Sequence, residues 1–381
     1  MTNSNLLYIT AGEESGDLLG SEVIREIKMN RPDIIIKGIG GKKMTAAGLI
    51  PVFRTEKLGF MGFFELIRHI FVIRKAFKTI LQGVIQDKPS VILMIDFSEF
   101  HIKLAKKIKA ALPDTKIIKY VSPQIWASRP KRINDIVRNY DCLCCILPFE
   151  KYIYAGHDID CRYVGHPLLD HYKINLLYEE FIEKFGISEV RTVISIFPGS
   201  RKQEIIKHMP VIKDFINRMK SRPDIDIVIC RSGNLKNSIF KKYDLPGSVK
   251  IIPSEFQWEV MSYSGIILCK SGTATLQTAI VETPSIVFYK VNPISFFIAK
   301  MIVKTKFISL PNIIAGKQIN PELIQSDFTP ENLVHEVNKL LDSEDIYELR
   351  KNELKSLNKL LGDKGAAQKV ASAVLDYIDY L

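Results

Sequence analysis

A chain of 381 residues is too long for one ordinary core and about right for two α/β domains. Apolar residues make up 46% and charged residues 25%, the balance of a soluble globular protein. Fifty-three Lys and Arg against 42 Asp and Glu give a net charge of +11, which favours anionic partners. Nucleic acid, acidic lipid head groups and phosphorylated substrates all qualify, and charge alone does not choose among them. The N-terminus lacks the basic start and apolar core of a signal peptide. No uninterrupted apolar run reaches the ~18 residues of a membrane-spanning helix. The expectation is therefore a protein on the cytoplasmic side. Six cysteines sit mostly in strand-like apolar runs such as Cys142-Leu-Cys-Cys-Ile-Leu147, a pattern of reduced core thiols. Neighbouring strand residues point to opposite faces and no matching Cys/His pair follows, so no metal site is expected.

The first half alternates short β-branched runs with amphipathic helices. Residues 6–11 read as a buried parallel strand. After it comes Gly12-Glu-Glu-Ser-Gly-Asp17, where two glycines admit a close ligand at a helix start; a tight turn capped by Ser15 or Asp17 explains the residues equally well. A strand at 34–39 overlaps Gly38-Ile-Gly-Gly41, which lacks the dinucleotide fingerprint. From Gly59 to Leu81 the chain carries Phe60, Met61, Phe63, Phe64 and Phe71 among Arg68, Arg74, Lys75 and Lys78. That suits a helix lying on acidic lipid, and also a core helix with a snorkelling rim.

Strand 91–95 leads into Asp96-Phe-Ser-Glu-Phe-His101. A carboxylate at a strand end is placed to take a proton from a sugar hydroxyl, and Asp96, Glu99 and His101 are all candidates. The competing reading makes Asp96 or Ser98 a helix cap. Strand 117–121 runs into Tyr120-Val-Ser-Pro-Gln-Ile-Trp126, either a sugar-stacking platform or a packed corner. Arg129-Pro-Lys-Arg132 reads as a solvated helix start. Strands at 142–147 and 161–164 close this half.

A second series follows polar material near 170–175, with strands at 193–197, 225–230, 250–252, 266–269 and 285–289. Two strand-helix series predict two doubly wound sheets facing across a cleft, with ligands beyond the strands' carboxyl ends. At one such end stands Phe197-Pro-Gly-Ser-Arg-Lys-Gln-Glu204. Gly199 and Ser200 are expected to offer backbone amides and Arg201 a bidentate grip on phosphate. At another stands Lys270-Ser-Gly-Thr-Ala-Thr-Leu-Gln277, with hydroxyls from Ser271, Thr273 and Thr275 as further donors. Together the two loops would cradle a nucleotide diphosphate. From 294 to 310, Phe296, Phe297, Lys300, Lys304 and Lys306 repeat the greasy, basic theme. Beyond Pro330 only helix is predicted.

In this order the strings resemble the lipid-A-disaccharide synthases, a GT-B glycosyltransferase family, almost from end to end. Besides those above, the resemblance rests on Met61-Gly62 with Glu65, Leu147-Pro-Phe-Glu150 and Val164-Gly-His-Pro167. It rests further on Glu204 and on Leu310-Pro-Asn-Ile-Ile-Ala-Gly316 with Pro321-Glu322. The resemblance implies an α/β chain of GT-B type. An acceptor- and membrane-side domain spans 1–170, a UDP-sugar-binding domain 171–345, and helices at 346–381 pack back toward the first domain. It also implies transfer from UDP-2,3-diacylglucosamine to 2,3-diacylglucosamine 1-phosphate, with inversion and with UDP released.

By the same likeness Asp96 is the base, and Arg201 and Asn312 are active-site polar groups. UDP would lie on Gly199, Ser200, Arg201, Ser271, Gly272, Thr273, Ala274, Thr275 and Gln277, while Glu13, Ser15, Gly16 and Ser122 face the acceptor. Neither cofactor, metal nor nucleic acid is implied; a peripheral place on the inner face of the cytoplasmic membrane is. Two departures stand out. The family's Asp-x-Pro-Asp-Phe-Asn is here Asp96-Phe-Ser98-Glu99-Phe-His101, and Gln277 replaces a usual Glu whose counterpart in related folds accepts from ribose hydroxyls. Another UDP-sugar GT-B enzyme and a non-catalytic membrane-binding homologue are the competing readings. Acyl chain length, amide or ester linkage and oligomeric state, a homo-oligomer included, stay open.

Overall fold

The computed structural model describes residues 3–54 and 65–380. The Met61-Gly62 pair and the start of the segment that runs from Gly59 to Leu81 lie outside them. The chain divides into two compact units, 1–170 with 362–381, and 171–361.

The first unit is built on a seven-stranded sheet of β1 (Asn3–Ala11), β2 (Ile35–Gly40), β3 (Ile50–Arg54), β4 (Pro89–Ile95), β5 (Lys116–Tyr120), β6 (Cys142–Cys145) and β7 (Asp160–Tyr163). Its order is β3-β2-β1-β4-β5-β6-β7, and the paired strands run parallel. Side chains alternate between the faces, as strand geometry demands. Leu7, Ile9, Val91 and Leu93 share one core with the Glu14–Asn30 helix, while Tyr8, Ile92 and Met94 face the Glu65–Asp87 and Ser98–Ala111 helices. Every residue of β4 is buried, which explains its unbroken apolar run.

The last helix, Ala366–Asp379, belongs to this unit: Val370, Ala371 and Val374 join the core of Leu7 and Ile9. Asp170 fixes its start by accepting from the amides of Gly365 at 2.6 Å and Ala366 at 3.0 Å. The Glu344–Leu360 helix falls instead in the second unit.

The second unit carries a six-stranded parallel sheet of β8 (Thr192–Phe197), β9 (Ile225–Arg231), β10 (Lys250–Pro253), β11 (Ile266–Lys270), β12 (Ser285–Tyr289) and β13 (Glu322–Ile324), ordered β10-β9-β8-β11-β12-β13. Both sheets are doubly wound. In each, the strand order reverses at one point, between β1 and β4 and between β8 and β11, where open sheets of this kind bind ligands. The loops at these two points are the ones after Ala11, Ile95, Phe197 and Lys270.

Among the described residues no helix is long and apolar enough to cross a membrane. The Pro293–Ile302 helix has no buried residue, and Ile294, Phe297 and Met301 are each about two-thirds or more exposed. The Glu65–Asp87 helix differs. Its Ala76, Ile80 and Val84 are core residues, although Phe71 is exposed.

Candidate functional site

In the first unit, β4 ends in a backbone outlier. Asp96 and Phe97 both adopt left-handed conformations, with φ of 47° and 48°, each of which costs a non-glycine residue roughly 1–3 kcal/mol. The Phe97 ring lies where a Cβ on Gly12 would be, 2.3 Å from its nearest atom, so glycine is required at 12. That packing locks the loop after β1 to the loop after β4. The Ser98–Ala111 helix is capped by Phe97 without a side-chain bond, which removes the reading of Asp96 or Ser98 as a cap. The half-buried Asp96 carboxylate accepts no hydrogen bond from the described residues.

The other two base candidates are committed. Glu99 accepts from Arg129 at 2.7 Å and Arg132 at 2.8 Å, and the Arg132 bond holds its carboxyl below the usual range. The basic run at 129–132 is the solvated helix start expected, and its two arginines also pair with Glu99. His101 is wholly buried between the Thr10 hydroxyl and the Asp96 carbonyl.

The neighbouring motifs have structural work. Asp17 is buried and accepts from the amides of Gly41 at 2.6 Å, Lys43 at 3.0 Å and Met44 at 3.1 Å. It therefore caps the Lys42–Ala46 helix rather than its own, and ties Gly12-to-Asp17 to Gly38-to-Gly41. Gly16 is buried against Ala11, whereas Glu13 and Ser15 are exposed. Ser122, expected to face the acceptor, is buried and hydrogen-bonded to the Tyr154 hydroxyl at 3.1 Å. The Tyr120-to-Trp126 stretch is a packed corner. Trp126 donates to Glu150 at 3.2 Å, and Glu150 also accepts from the Leu147 amide at 3.1 Å. Burial pushes the Glu150 carboxyl up to about 7.

In the second unit a cavity of about 350 Å³ opens at the ends of β8, β9 and β11. Six expected nucleotide residues line it: Gly199, Ser200, Gly272, Thr273, Ala274 and Gln277. Its volume suits a small-molecule ligand. Gln277 is buried, and its side-chain amide has no hydrogen-bond partner among the described residues, which leaves that amide for a ligand.

The Ser200 amide of the first loop is not free, against expectation, and neither is that of Arg201. Glu204 curls back and accepts from the amides of Ser200 at 2.9 Å and Arg201 at 3.2 Å. A Cβ on Gly199 (φ 127°) would stand 2.6 Å from the same carboxylate. Lys270 pairs with Glu204 at 3.2 Å and lines the cavity. Burial works against the charge on Glu204, yet Lys270 and the two amides hold its carboxyl below the usual range. Arg201 is exposed beside this loop and does not line the cavity. His208 steadies the loop from behind, its Nδ1 2.7 Å from the Pro198 carbonyl.

Three further expectations need correction. The Ser271 hydroxyl donates to the Ile308 carbonyl at 2.9 Å and that of Thr275 to Gly272 at 2.7 Å; only Thr273 presents an exposed hydroxyl here. Asn312 is fully buried. Its Nδ2 donates to the Asn320 carbonyl and to Glu322, both at 2.8 Å, and its Oδ1 accepts from the amides of Ile319 and Asn320. It braces the Leu310–Ala315 helix, and its amide has no capacity left for a substrate. The sequence reading missed Lys270, whose signal was a lone lysine just ahead of Ser-Gly-Thr, and Glu204 as the group that fills the loop.

Known proteins place this architecture. The solved structure of the kitacinnamycin glycotransferase superposes with a TM-score of 0.64 at 13% identity, over 98% of each chain. The calicheamicin glycosyltransferase gives 0.63 at 13% identity, also over 98% of each. A UDP-GlcNAc 2-epimerase from Neisseria meningitidis, bound to UDP-GlcNAc, gives 0.61 at 13% over 97% of this chain and 99% of that one. At such identities the likeness establishes the fold, which is that of the GT-B enzymes. Sequence relatives are nearer. The lipid-A-disaccharide synthase of Geobacter sulfurreducens is 32% identical over 377 residues, covering 98% of both chains. That of Persephonella marina is 34% identical over 379 residues, with 96% of this chain and 97% of that one covered. The profile described as lipid-A-disaccharide synthetase matches residues 7–375, so this chain belongs to that family of glycosyltransferases of lipid A biosynthesis.

Proposed function

We propose that the chain joins UDP-2,3-diacylglucosamine to 2,3-diacylglucosamine 1-phosphate in one inverting displacement. The uridine nucleotide enters the cavity of the second unit, with Gln277 accepting from the ribose hydroxyls. The amides at the start of the Thr273–Ile280 helix and the ammonium of Lys270 meet the diphosphate. Arg201 adds a guanidinium at its exposed edge. Asp96 takes the proton from the acceptor's 6-hydroxyl, and that oxygen attacks the donor's anomeric carbon. The bond from that carbon to the diphosphate oxygen breaks, UDP leaves with the electron pair, and the α-linked donor becomes a β-linked disaccharide 1-phosphate.

The carrying observation is the cavity itself. In a chain of this family it gathers two small-residue loops, one cation and one unpartnered amide at the β8–β11 switch point. Incubating purified protein with both acylated substrates tests the reading. Release of UDP in step with a disaccharide product is expected. Vesicle and UDP binding without turnover would make the chain a non-catalytic homologue.

The acylated substrates call for contact with a lipid surface, and the Pro293–Ile302 helix supplies a means. Its exposed Ile294, Phe297 and Met301 would enter the acyl boundary, while Lys300, Lys304 and Lys306 meet anionic head groups. On this reading the protein works peripherally, on the inner face of the cytoplasmic membrane.

A further inference from the structure

Lys119, the fourth residue of β5, is wholly buried, and no carboxylate among the described residues pairs with it. Burial pushes its ammonium down to about 7, offset in part by the charge of the Asp96 carboxylate, which forms no ion pair with it; an apolar side chain would fill the position without that cost. What Lys119 contacts is the backbone of Asp96. Its Nζ donates to the Asp96 carbonyl oxygen, and the Nδ1 of His101 lies 2.7 Å from the same atom. A carbonyl only accepts, so Nδ1 carries the ring proton, and Nε2 accepts from the Thr10 hydroxyl at 2.9 Å. The 3.3 Å between Nζ and Nδ1 then reflects two donors sharing one oxygen's two lone pairs. Burial, reinforced by the charge of Lys119, pushes His101 well below its ordinary value, which keeps the ring in the neutral form this arrangement requires.

The other side of the residue is fixed as well. The Asp96 amide donates to the Tyr120 carbonyl at 3.0 Å, the last bond of the β4–β5 ladder. Asp96 is thus gripped at its N–H by strand backbone and at its C=O by two buried side chains, in a conformation that L-residues avoid. With both ends held, the direction of the Cα–Cβ bond is set.

We propose that Lys119 and His101 are positioning residues, which clamp the Asp96 carbonyl in the left-handed turn and so aim its carboxylate at the acceptor hydroxyl. The proposal rests on Asp96 being the general base, as argued above. It also accounts for His101 where the family usually has Asn: both residues offer a donor at the δ position.

The test compares K119M, H101L, H101N, D96A and the K119M/D96A double variant in disaccharide formation, each checked for folding by its melting transition. K119M and H101L are expected to lower kcat about 10-fold or more, the scale of a small misplacement of a reacting group. Their KM values should stay within about 3-fold of the parent. H101N should retain most of the rate, because its Nδ2 stands where the imidazole Nδ1 does. K119M/D96A should be no slower than D96A, since the clamp acts only through Asp96. Parental kcat in both K119M and H101L, with D96A crippled, would overturn the clamp while leaving the base intact; losses that multiply in the double variant would overturn it too. A near-normal D96A would instead remove the base, and the clamp with it. If K119M fails to fold, the contrast between H101L and H101N decides alone.

Discussion

The ammonium of Lys270 stands 3.2 Å from the carboxylate of Glu204, which also accepts the amides of Ser200 and Arg201. A protein anion thus occupies the place in the first loop where a phosphate was expected. The ligand's charge is left to Lys270 and the opposite loop. K270Q should therefore weaken UDP binding about 10-fold or more, the range for a hydrogen bond to a charged group. Uridine, which lacks the diphosphate, should bind both forms alike. Titration calorimetry with the two ligands separates these outcomes, and equal UDP affinity would take Lys270 out of the donor site.

Gly12 and Phe97 offer a test of the lock between the loops after β1 and β4. A methyl group at 12 has no room beside the Phe97 ring. G12A should lower stability by about 1–3 kcal/mol, the usual cost of overpacking. The G12A/F97A double variant should recover part of the loss caused by G12A. Denaturant melts of the single and double variants provide the comparison.

Much of this was legible in the sequence, and the gaps have physical causes. Strands buried on both faces announce themselves as apolar runs, and the strand-end loops follow from them. β3 escaped because Pro51 argues against a strand, yet it lies at the sheet edge, where a missing amide is tolerated. β13 spans three residues, too few for any periodicity. Side-chain targets were harder to read. Glu204, Asn312 and Asp17 look like ligand-binding polar groups in a motif, but each is spent on nearby backbone amides. Arg129 and Arg132 are as solvated as they look, yet they also reach Glu99 some thirty residues away in sequence, which no local pattern shows. Lys119 reads as an ordinary polar strand position, because nothing local marks both faces of β5 as covered.

Glu150 predicts a pH dependence. Its folded value of about 7 lies above the ordinary 4.5, with burial as the cause. Stability associated with the protonated group is complete below about pH 4.5 and is lost as pH rises through about 7. E150Q cannot ionise, so it should gain on the parent protein by on the order of 1–3 kcal/mol between pH 5 and 8.5. Melting midpoints of both proteins across that range check the sign. A constant difference would mean that Glu150 titrates normally.

The exposed helix yields a binding prediction. Replacing Phe297 and Met301 by Ser should reduce cosedimentation with vesicles containing anionic lipid about 10-fold or more, given the apolar area removed. K300Q/K304Q/K306Q should weaken it mainly at low salt. Unchanged binding in both would move the lipid contact elsewhere on the molecule.

The sharpest trial of the account is the turnover of D96A, measured as disaccharide formed at saturating levels of both acylated sugars. Loss of a general base predicts a fall of at least ~100-fold in a folded protein whose affinity for UDP is unchanged. Turnover within a few-fold of the parent would contradict the assignment and return the proton transfer to another group.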